Sequence, residues 1–441
     1  MRRFQLCLVS LACSAAITLS VSDAETVAEV SDVALVWSGH PVGFSLLTAG
    51  DTQYVAYYDS ERRMTVASRT IGGSDWQYKV LPETVAWDSH NSVTIALDGA
   101  GHLHVSGNMH VKPLVYFRTL EAGNIQTLER IPAMTGKDEE RVTYPRFFEA
   151  PDGSLVFTYR DGSSGSGNQI YNIYDVGTHE WRRLLDQPLL DGEGLMNAYP
   201  VGPMVGPDGY YHLCWVWRDT PDCATNHDPG YARSTDLVHW ETAGGESLTL
   251  PITLETADTV DPVPAGGGII NGNTRIGFDS TNRPIVSYHK FDEDGNTQIY
   301  NARFEGDRWV VYQTSDWDFR WEFSGGGSIG FEVGVSPVVH DSQGGLTQAF
   351  RAKQTGSGIW VLDEETLQIQ ETRTPESKTP PEVRALRSEF PGMSVRTAND
   401  LGEAPGGSYI LRWETLGQNR DKPRDPPWPE PSQLQVIRLD E

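Results

Sequence analysis

A short pattern recurs about seven times along this chain and limits the folds open to it. Each copy is a turn, usually rich in Asp and Gly, followed by a strand in which side chains alternate in polarity. Successive copies are roughly 50 to 70 residues apart, which suits a four-stranded unit with variable loops. The repeat predicts an all-β fold, a seven-bladed β-propeller built as one domain over residues 25–441. The strand copies are residues 54–58, 102–105, 155–159, 211–215, 284–288, 346–350 and 409–413.

Both ends of this domain carry segments that are suited to closing a ring. Residues 33–37 and residues 434–439 are rich in Val, Leu and Ile and read as strands. A ring of sheets is closed when strands from the two ends of the chain pair within one blade. We therefore expect these two segments to share a sheet.

Residues 1–24 have the layout of a secretory signal peptide. A basic start and an apolar stretch at residues 6–19 precede small residues and Glu25. We expect cleavage near Glu25 and a secreted or periplasmic protein. Lipid attachment at Cys13 is the weaker alternative, because Ser10 stands where Leu is usual. No later stretch reaches about 18 uninterrupted apolar residues, so no membrane span is expected.

The formal net charge of −25 restricts the partners of this chain. No cluster of Lys and Arg offsets it, so nucleic-acid binding is not expected. A strongly acidic protein also repels an acidic polymer in general. If the substrate is acidic, the binding site must therefore concentrate Arg and His locally.

Five polar side chains stand beside predicted strands of the second, third and fourth repeats. His90 and His110 flank the second, Tyr144 precedes the third and Arg160 ends it, and Tyr199 precedes the fourth. Propellers place substrate sites at one end of the ring, where loops of different blades converge. We therefore expect the five side chains to face a common site.

The spacing of these residues resembles that of a known family. His90 and His110 twenty residues apart, Tyr144 and Arg160 sixteen apart, and the run RDGSSGSGN at residues 160–168 are similar to the seven-bladed ulvan lyases of marine bacteria. The resemblance extends over most of residues 37–350. It implies endolytic cleavage of ulvan, a sulfated green-algal polysaccharide, beside a uronic acid, with the sulfated rhamnose on the leaving-group side.

The chemistry of that cleavage explains why these residue types are needed. The C5 proton of a uronate is barely acidic until a cation neutralises the neighbouring carboxylate, and the planar fork of Arg160 suits this task. A base must then remove the C5 proton while an acid protonates the departing O4. We assign His90 as base and Tyr144 as acid, two roles that can be exchanged. His110 and Tyr199 orient the sugar or share in proton transfer.

Each of these assignments has a structural alternative. A His near a strand end is more often a hydrogen-bonded structural residue. Arg160 can instead pair with Asp161, and Tyr144 can pack a blade edge before Pro145.

Three further residues are candidate sugar contacts on the same face. They follow or precede other predicted strands, so their loops can reach the same end of the ring. They are His40, His289 and Arg320.

A second constellation predicts a structural zinc site. His212 and Cys214 are two residues apart on a predicted strand, and Cys223 and His227 follow on the next loop. Two thiolates and two imidazoles form a closed tetrahedral set with no position for water. The alternative is a disulfide between Cys214 and Cys223, which an exported protein can form.

Three classes of function remain open from the sequence. The first is a polysaccharide lyase acting on ulvan, and the second is a glycoside hydrolase of rhamnosidase type on a similar propeller. The absence of an obvious pair of carboxylates weighs against the second, and no arginine triad of a sialidase can be assembled. The third is a propeller that binds glycans without cleaving them. A monomer is expected, and the sequence does not determine a calcium requirement.

Overall fold

The computed structural model describes residues 25–73, 75–341, 344–374, 377, 379–404 and 406–440. The predicted signal peptide, residues 1–24, lies outside them. Nearly all regular structure in the described part is β-strand, which confirms the all-β prediction. The helices are a single α-turn, α1 (Pro381–Arg384), and two 3₁₀ turns, Ile125–Thr127 and Cys223–Thr225. In the described part, no helix is long and apolar enough to cross a membrane.

The first half of the chain forms antiparallel sheets in chain order, after an initial strand β1 (Thr26–Val36) that pairs elsewhere. The first sheet contains β2 (Ser45–Ala49), β3 (Thr52–Tyr58), β4 (Arg63–Thr70) and β5 (Gln77–Thr84). The second contains β6 (Val93–Leu97) and β7 (Leu103–Gly107) and, beyond the short β8 (His110–Lys112), also β9 (Tyr116–Thr119) and β10 (Leu128–Arg130).

The middle of the chain forms one sheet of ten strands, which includes β8. Its first antiparallel group is β11 (Val142–Glu149), β12 (Leu155–Ser163), β13 (Ser166–Asp175) and β14 (Glu180–Arg183). Its second is β15 (Asn197–Val205), β16 (Tyr211–Arg218), β17 (Asn226–Ser234), β18 (Trp240–Glu241) and β19 (Asp258–Thr259). One parallel residue pair, Gly167 with Asn197, joins the two groups.

Three sheets complete the fold. The first contains β20 (Arg275–Phe278), β21 (Pro284–Phe291), β22 (Thr297–Glu305) and β23 (Arg308–Gln313). The second contains β24 (Val333–Val335), β25 (Val339–His340), β26 (Leu346–Ala352), β27 (Gly356–Leu362) and β28 (Ile369–Arg373). The last contains β29 (Met393–Asn399), β30 (Ser408–Leu416) and β31 (Ser432–Asp440) together with β1.

Each of the seven predicted repeat strands is a strand of the structure, namely β3, β7, β12, β16, β21, β26 and β30. The two end segments also share a sheet as predicted, because β1 pairs antiparallel with β31 and places Ala34 beside Leu434. The count of seven blades is not confirmed. The described residues form six hydrogen-bonded sheets rather than seven, because the Gly167–Asn197 pair merges two groups of strands into one sheet. None of these six sheets is closed.

The repeated Asp-Gly turn has a simple hydrogen-bonding basis. Asp98 Oδ1 accepts from the backbone N–H groups of Ala100 and His102, both at 2.9 Å, and Gly101 between them has a φ of 83°. Asp279 makes the same pair of contacts, to Thr281 and Arg283. An Asp side chain that satisfies the turn's own N–H groups therefore sets each hairpin in place.

A second kind of turn follows β17, at the Ser-x-Asp-x-x-x-Trp segment. The Ser234 hydroxyl bonds Leu237 N–H and the carbonyl of His239, and Trp240 Nε1 donates to the carbonyl of Leu237. Leu237 has a φ of 66° although it is fully buried. This left-handed conformation explains why Gly is usual at that position in the Asp-box turns that the segment resembles.

Successive sheets lie side by side. The β2 strand packs beside both β29 and β6, β6 beside β11, β16 beside β20, and β21 beside β24. One apolar cluster runs through the first groups and includes Leu46, Val55, Val105 and Phe157, each essentially buried. Loops between neighbouring sheets are thereby held next to one another, which is the arrangement that a composite site requires.

Candidate functional site

Four of the predicted site residues line one cavity of about 330 Å³, which we call the central cavity. They are His90, His110, Tyr144 and Tyr199. Arg160 lines an adjoining cavity of about 280 Å³, the Arg160 cavity, which shares Tyr144 and Tyr199 with the first. The structure thus brings together all five residues that the sequence analysis assigned to the reaction.

Strand pairing explains why residues so far apart in sequence meet. His110 begins β8 and lies opposite Thr143 of β11, and Thr143 lies opposite Arg160 of β12. The β11 strand has an irregularity after Thr143, and Tyr144 there has a φ of 58°. Such a bulge turns a side chain away from its regular position in the ladder. Tyr144 is consequently 38% exposed, although Val142 and Thr143 just before it are buried.

The two histidines are held by a carboxylate that the sequence analysis did not assign. His90 Nδ1 lies 2.7 Å from one oxygen of Asp88, and His110 Nδ1 lies 2.6 Å from the other. The imidazole rings stack with centroids 4.1 Å apart. The signal in the sequence was the Asp88-x-His90 spacing, which also lets the carboxylate accept the backbone N–H of His90 at 3.0 Å.

The charge state of Asp88 fixes what the histidines can do. Burial opposes its ionisation, but the hydrogen bonds from His110 and His90 outweigh burial and hold the pKa of Asp88 well below its usual range. An ionised carboxylate only accepts hydrogen bonds, so both Nδ1 atoms are assigned as N–H donors. An imidazole that donates from Nδ1 and accepts a proton does so through the lone pair on Nε2, where a base needs it.

Arg160 is a buried cation with an unmet capacity to donate hydrogen bonds. Its residue is 2% exposed, and its Nε and Nη2 have no hydrogen-bond partner among the described residues. Nη1 makes a single long bond of 3.4 Å to the Tyr199 hydroxyl. No ion pair with Asp161 is found, so the structural alternative for Arg160 is wrong within the described part of the chain. An unpaired buried guanidinium is costly unless an anion binds to it.

Arg218 is a second cation of the site that the sequence analysis missed. Its Nη1 lies 3.4 Å from the same Tyr199 hydroxyl, and its Cζ lies 5.5 Å from the ring centroid of Tyr199. Its other donors bond the backbone carbonyls of Thr220 and Pro221. Arg218 is the last residue of β16, and Arg160 lies three residues before the end of β12, so an Arg near the end of a repeat strand was the available signal.

Tyr144 and Tyr199 differ in their surroundings. The Tyr199 hydroxyl bonds Ser164 Oγ at 2.7 Å and receives the long bonds from both arginines. No hydrogen bond to the Tyr144 hydroxyl is found within the described residues. Burial and the neighbouring Tyr199 raise the pKa of Tyr144, against the opposing effects of Arg160 and Arg218. Tyr144 therefore stays protonated at neutral pH and can act as a proton donor.

The three candidate sugar contacts do not line the central or the Arg160 cavity. His40 is buried against Trp37 and Trp87, and burial lowers its pKa to about 4. His289 is fully buried beside Trp321, and burial likewise lowers its pKa to about 4. Arg320 lies over Phe291 and donates to the carbonyl of Gly295. Aromatic packing from other segments places His40 and His289 in the core, which their local sequence does not reveal.

The predicted zinc ligands His212, Cys214, Cys223 and His227 are not assembled. In the β16–β17 ladder, His227 pairs with Trp217 whereas His212 pairs with Arg233. Five residues of strand, about 16 Å, thus separate the rows of the two histidines. Cys214 and Cys223 are both free, so the alternative disulfide is also absent. Burial raises the pKa of Cys214 to about 12, which disfavours the thiolate that zinc requires.

Both histidines of that set are satisfied by the protein itself. His212 bonds the Tyr231 hydroxyl at 2.5 Å and Asp208 at 2.9 Å, and His227 bonds Asp219 and Asp228, both at 2.9 Å. In the described part, only Asp88, His90 and His110 bring three potential ligand atoms within 4.8 Å of one another. Both oxygens of that carboxylate already accept from imidazoles, so we assign these three to proton transfer rather than to a metal. Zinc bound by any other residues stays a prediction for elemental analysis to test.

His227 offers a prediction about stability and pH. Burial opposes its charge, but the carboxylates of Asp228 and Asp219 prevail and raise the pKa of His227. A raised pKa contributes stability below the unfolded-state pKa of about 6.5 and loses it as pH rises through the folded-state value. His227→Gln is therefore expected to destabilise the protein more at about pH 5.5 than at about pH 8.5. Thermal unfolding at both pH values measures this.

His212→Gln is the matched control for that measurement. Burial lowers the pKa of His212 despite its bond to Asp208, so its contribution has the opposite sign and grows as pH rises. The same pH trend in both variants would contradict the assigned hydrogen-bond networks.

A third cavity of about 350 Å³ adjoins the central cavity and shares His90, Ser328 and Gln418 with it. We call it the Arg396 cavity, after the one arginine in its lining, and the three connected cavities the groove. The described residues that line the groove include no Asp or Glu. In a chain of net charge −25, this is the local cationic surface that an acidic substrate requires.

Comparisons with known proteins agree with this arrangement. Residues 52–317 match a family model described as a BNR repeat-containing family member. A curated relative, the short isoform of ulvan lyase from Alteromonas sp. (strain LOR), is 24% identical over 281 residues. That alignment covers 56% of this chain and 50% of the relative, so the chain matches about half of the relative's length.

Solved structures show the same fold. A crystal structure of a polysaccharide lyase gives a TM-score of 0.60 at 13% identity and covers 94% of this chain and 100% of its own. An ulvan lyase of family PL25, bound to -[GlcA(1-4)Rha3S]-, gives a TM-score of 0.58 at 13% identity, with 92% and 94% of the two chains covered. At this identity the likeness establishes the fold alone.

Proposed function

This chain belongs to the BNR repeat-containing family, and we propose that it is a polysaccharide lyase that cleaves ulvan by β-elimination beside a uronic acid. The observation that carries the proposal is the composition of the groove. It presents Arg160, Arg218, His90 and His110, and none of the described residues that line it is Asp or Glu. The names of the ulvan lyases that the chain resembles supply the substrate.

Arg160 is the group that makes the C5 proton removable. Its Nε and Nη2 have no partner among the described residues, and one N–H of each can donate to an oxygen of a uronate carboxylate. Neutralising that carboxylate stabilises the enolate-like charge that develops when the proton leaves. Because Arg160 is buried, its charge acts through a medium of low dielectric and is weakly screened.

The proton transfers follow from the two neighbouring groups. His90, with Nδ1 bound to Asp88, takes the C5 proton on Nε2. The C5–H electrons form the C4–C5 double bond as the C4–O4 bond breaks, and Tyr144 gives its hydroxyl proton to the departing O4. The ring centroids of His90 and Tyr144 lie 5.7 Å apart, so the two side chains are close enough to act on one sugar. His110 and Tyr199 orient the sugar.

The hydrolase alternative lacks its machinery. Glycoside hydrolysis uses two carboxyl groups that flank the scissile bond. None of the described residues lining the groove is acidic, and Asp88 behind the histidines is occupied by them. A proton donor and base made of Tyr and His suit elimination instead.

Three finer features belong to the same proposal. The antiparallel groups of strands are the seven blades of a propeller, and the pairing of β1 with β31 closes the ring. The N-terminal segment exports the protein to a secreted or periplasmic location. The enzyme acts as a monomer.

One digest tests the proposed reaction. Ulvan incubated with the purified protein is expected to yield products with unsaturated uronate ends, which absorb ultraviolet light, together with an early fall in viscosity. Mass spectrometry assigns the new end group. Reducing ends without ultraviolet absorbance would show hydrolysis, and saturable binding without any fall in viscosity would show a glycan-binding protein. Either result would overturn the proposal.

A further inference from the structure

The Arg396 cavity extends the groove away from Arg160. The central cavity touches the Arg160 cavity at Tyr144 and Tyr199, and it touches the Arg396 cavity at His90, Ser328 and Gln418. The order along the groove is therefore Arg160, the histidine pair, Arg396. A polymer bound along the groove therefore passes Arg160, the histidine pair and Arg396 in turn.

Arg396 is a cation without a partner. It lies on β29, and no hydrogen bond or ion pair of its guanidinium occurs among the described residues. Its Nε is buried and unbonded. Arg412 on the adjacent strand β30 shows the contrast, because it bonds Glu414 and the carbonyls of Val383 and Ala385. Most arginines in an acidic chain find such acceptors, so a free one in a cavity is informative.

The walls of this cavity suit a sugar. Trp413 and Phe44 stack with ring centroids 4.7 Å apart and form an apolar side. Thr397 and Gln418 add neutral polar groups, and no acidic residue lines the cavity in the described part of the chain. An apolar surface with a few convergent polar groups is the usual composition of a ligand site.

We propose that Arg396 binds an anionic substituent, a carboxylate or a sulfate ester, on a sugar that lies across the cleaved bond from the uronate held by Arg160. The proposal rests on the proposed function as a polysaccharide lyase. The planar guanidinium fork matches either anion with two parallel hydrogen bonds. Arg396 lies beyond His90 and takes no part in proton transfer, so it contributes to binding rather than to the chemical step.

The test compares Arg396→Ala and Arg396→Lys with the wild type on ulvan. Loss of a charge-assisted pair is expected to raise KM about tenfold in Arg396→Ala, with kcat changed less than about twofold. Arg396→Lys is expected to lie between, because it keeps the charge but loses the fork. Arg308→Ala is the matched control, since Arg308 is an exposed arginine on β23 and does not line the groove. An unchanged KM in Arg396→Ala would overturn the proposal.

Modified polymers identify the anion. If Arg396 binds sulfate, chemically desulfated ulvan raises the wild-type KM and removes the difference between wild type and Arg396→Ala. If it binds carboxylate, the difference persists on the desulfated polymer. Retardation in gels that contain ulvan gives a second readout that needs no turnover. A wild type that forms no unsaturated product would refute the lyase function, while equal retardation of wild type and Arg396→Ala would refute the subsite.

Discussion

Arg160→Met is expected to lower lyase activity about 10³-fold while making the folded protein more stable. The activity falls because the other arginine of the Arg160 cavity, Arg146, already donates to the carbonyls of Gly202 and Pro203 and cannot replace Arg160 at the substrate carboxylate. The stability rises because Met removes a buried charge whose Nε and Nη2 have no partner among the described residues and replaces it with an apolar chain. Such replacements stabilise by about 1 to 2 kcal/mol. Initial rates by ultraviolet absorbance and unfolding in urea measure the two effects.

Arg146→Met is the matched control for this prediction. Arg146 lines the same cavity, but its guanidinium donates to the carbonyls of Gly202 and Pro203. Arg146 is exposed, so its removal takes two hydrogen bonds from these carbonyls at a site that water can reach and is expected to destabilise the protein by less than about 1 kcal/mol. The two variants should therefore shift stability in opposite directions. An Arg160→Met protein that is less stable and still active would assign Arg160 a structural role.

Much of the fold was predictable from local sequence because the repeat is local. Asp-Gly turns are closed by their own side chain, as at Asp98, and the strand that follows is rich in residues that favour β-structure. Most of these strands are buried on both faces, whereas the alternating pattern predicted half-buried strands. The pairing of β1 with β31 was predictable because both ends carry strands that need partners. The number of separate sheets was not, because it depends on a single bridge between Gly167 and Asn197.

The part of the site that neighbouring strands bring together could be predicted from the sequence. His110, Thr143 and Arg160 form one row across three strands, so a spacing in sequence became a distance in space. The role of Asp88 was not predicted, because an Asp next to a turn is common in sequences of this kind and more often caps the turn. The burial of His40 was not predicted because His40 packs against Trp37 and Trp87, and the second of these lies far from it in sequence.

The four predicted zinc ligands are kept apart by the register of two strands. The spacing of His212 and Cys214 on one strand face is correct, but the β16–β17 ladder places His227 opposite Trp217 rather than near His212. The spacing of residues in sequence indicates which side chains share a face of one strand. It does not determine the register in which the second strand pairs with the first. The carboxylates that satisfy His212 and His227 come from the connecting turns, at Asp208 and Asp219.

Asp88→Asn is expected to lower kcat by about 10²- to 10⁴-fold with little change in KM. The ionised carboxylate accepts from His90 Nδ1 and His110 Nδ1 at once, whereas an amide offers one acceptor oxygen and one donor nitrogen. One imidazole must then turn or change tautomer, and its Nε2 lone pair is lost to catalysis. Asp88 does not line the groove, so substrate binding is preserved. Steady-state kinetics on ulvan separates kcat from KM.

The pH dependence of stability supplies an independent check on the charge of Asp88. Because its folded-state pKa is depressed, its contribution is present above the unfolded-state pKa of about 3.9 and is lost as pH falls through the folded-state value. Wild type should therefore exceed Asp88→Asn in stability at neutral pH, and the difference should shrink in acid.

Asp421→Asn separates orientation of the histidines from a general effect of nearby negative charge. Asp421 lies 3.5 Å from His90 Nδ1, but it accepts from Ser89 and Ser328 and so anchors the loop rather than the imidazole. Its variant is expected to lose less than about tenfold in kcat, because Asp88 still holds both rings. Equal losses in the two variants would mean that negative charge near His90, and not the shared acceptor, supports catalysis. A wild-type kcat in Asp88→Asn would remove His90 from the role of base.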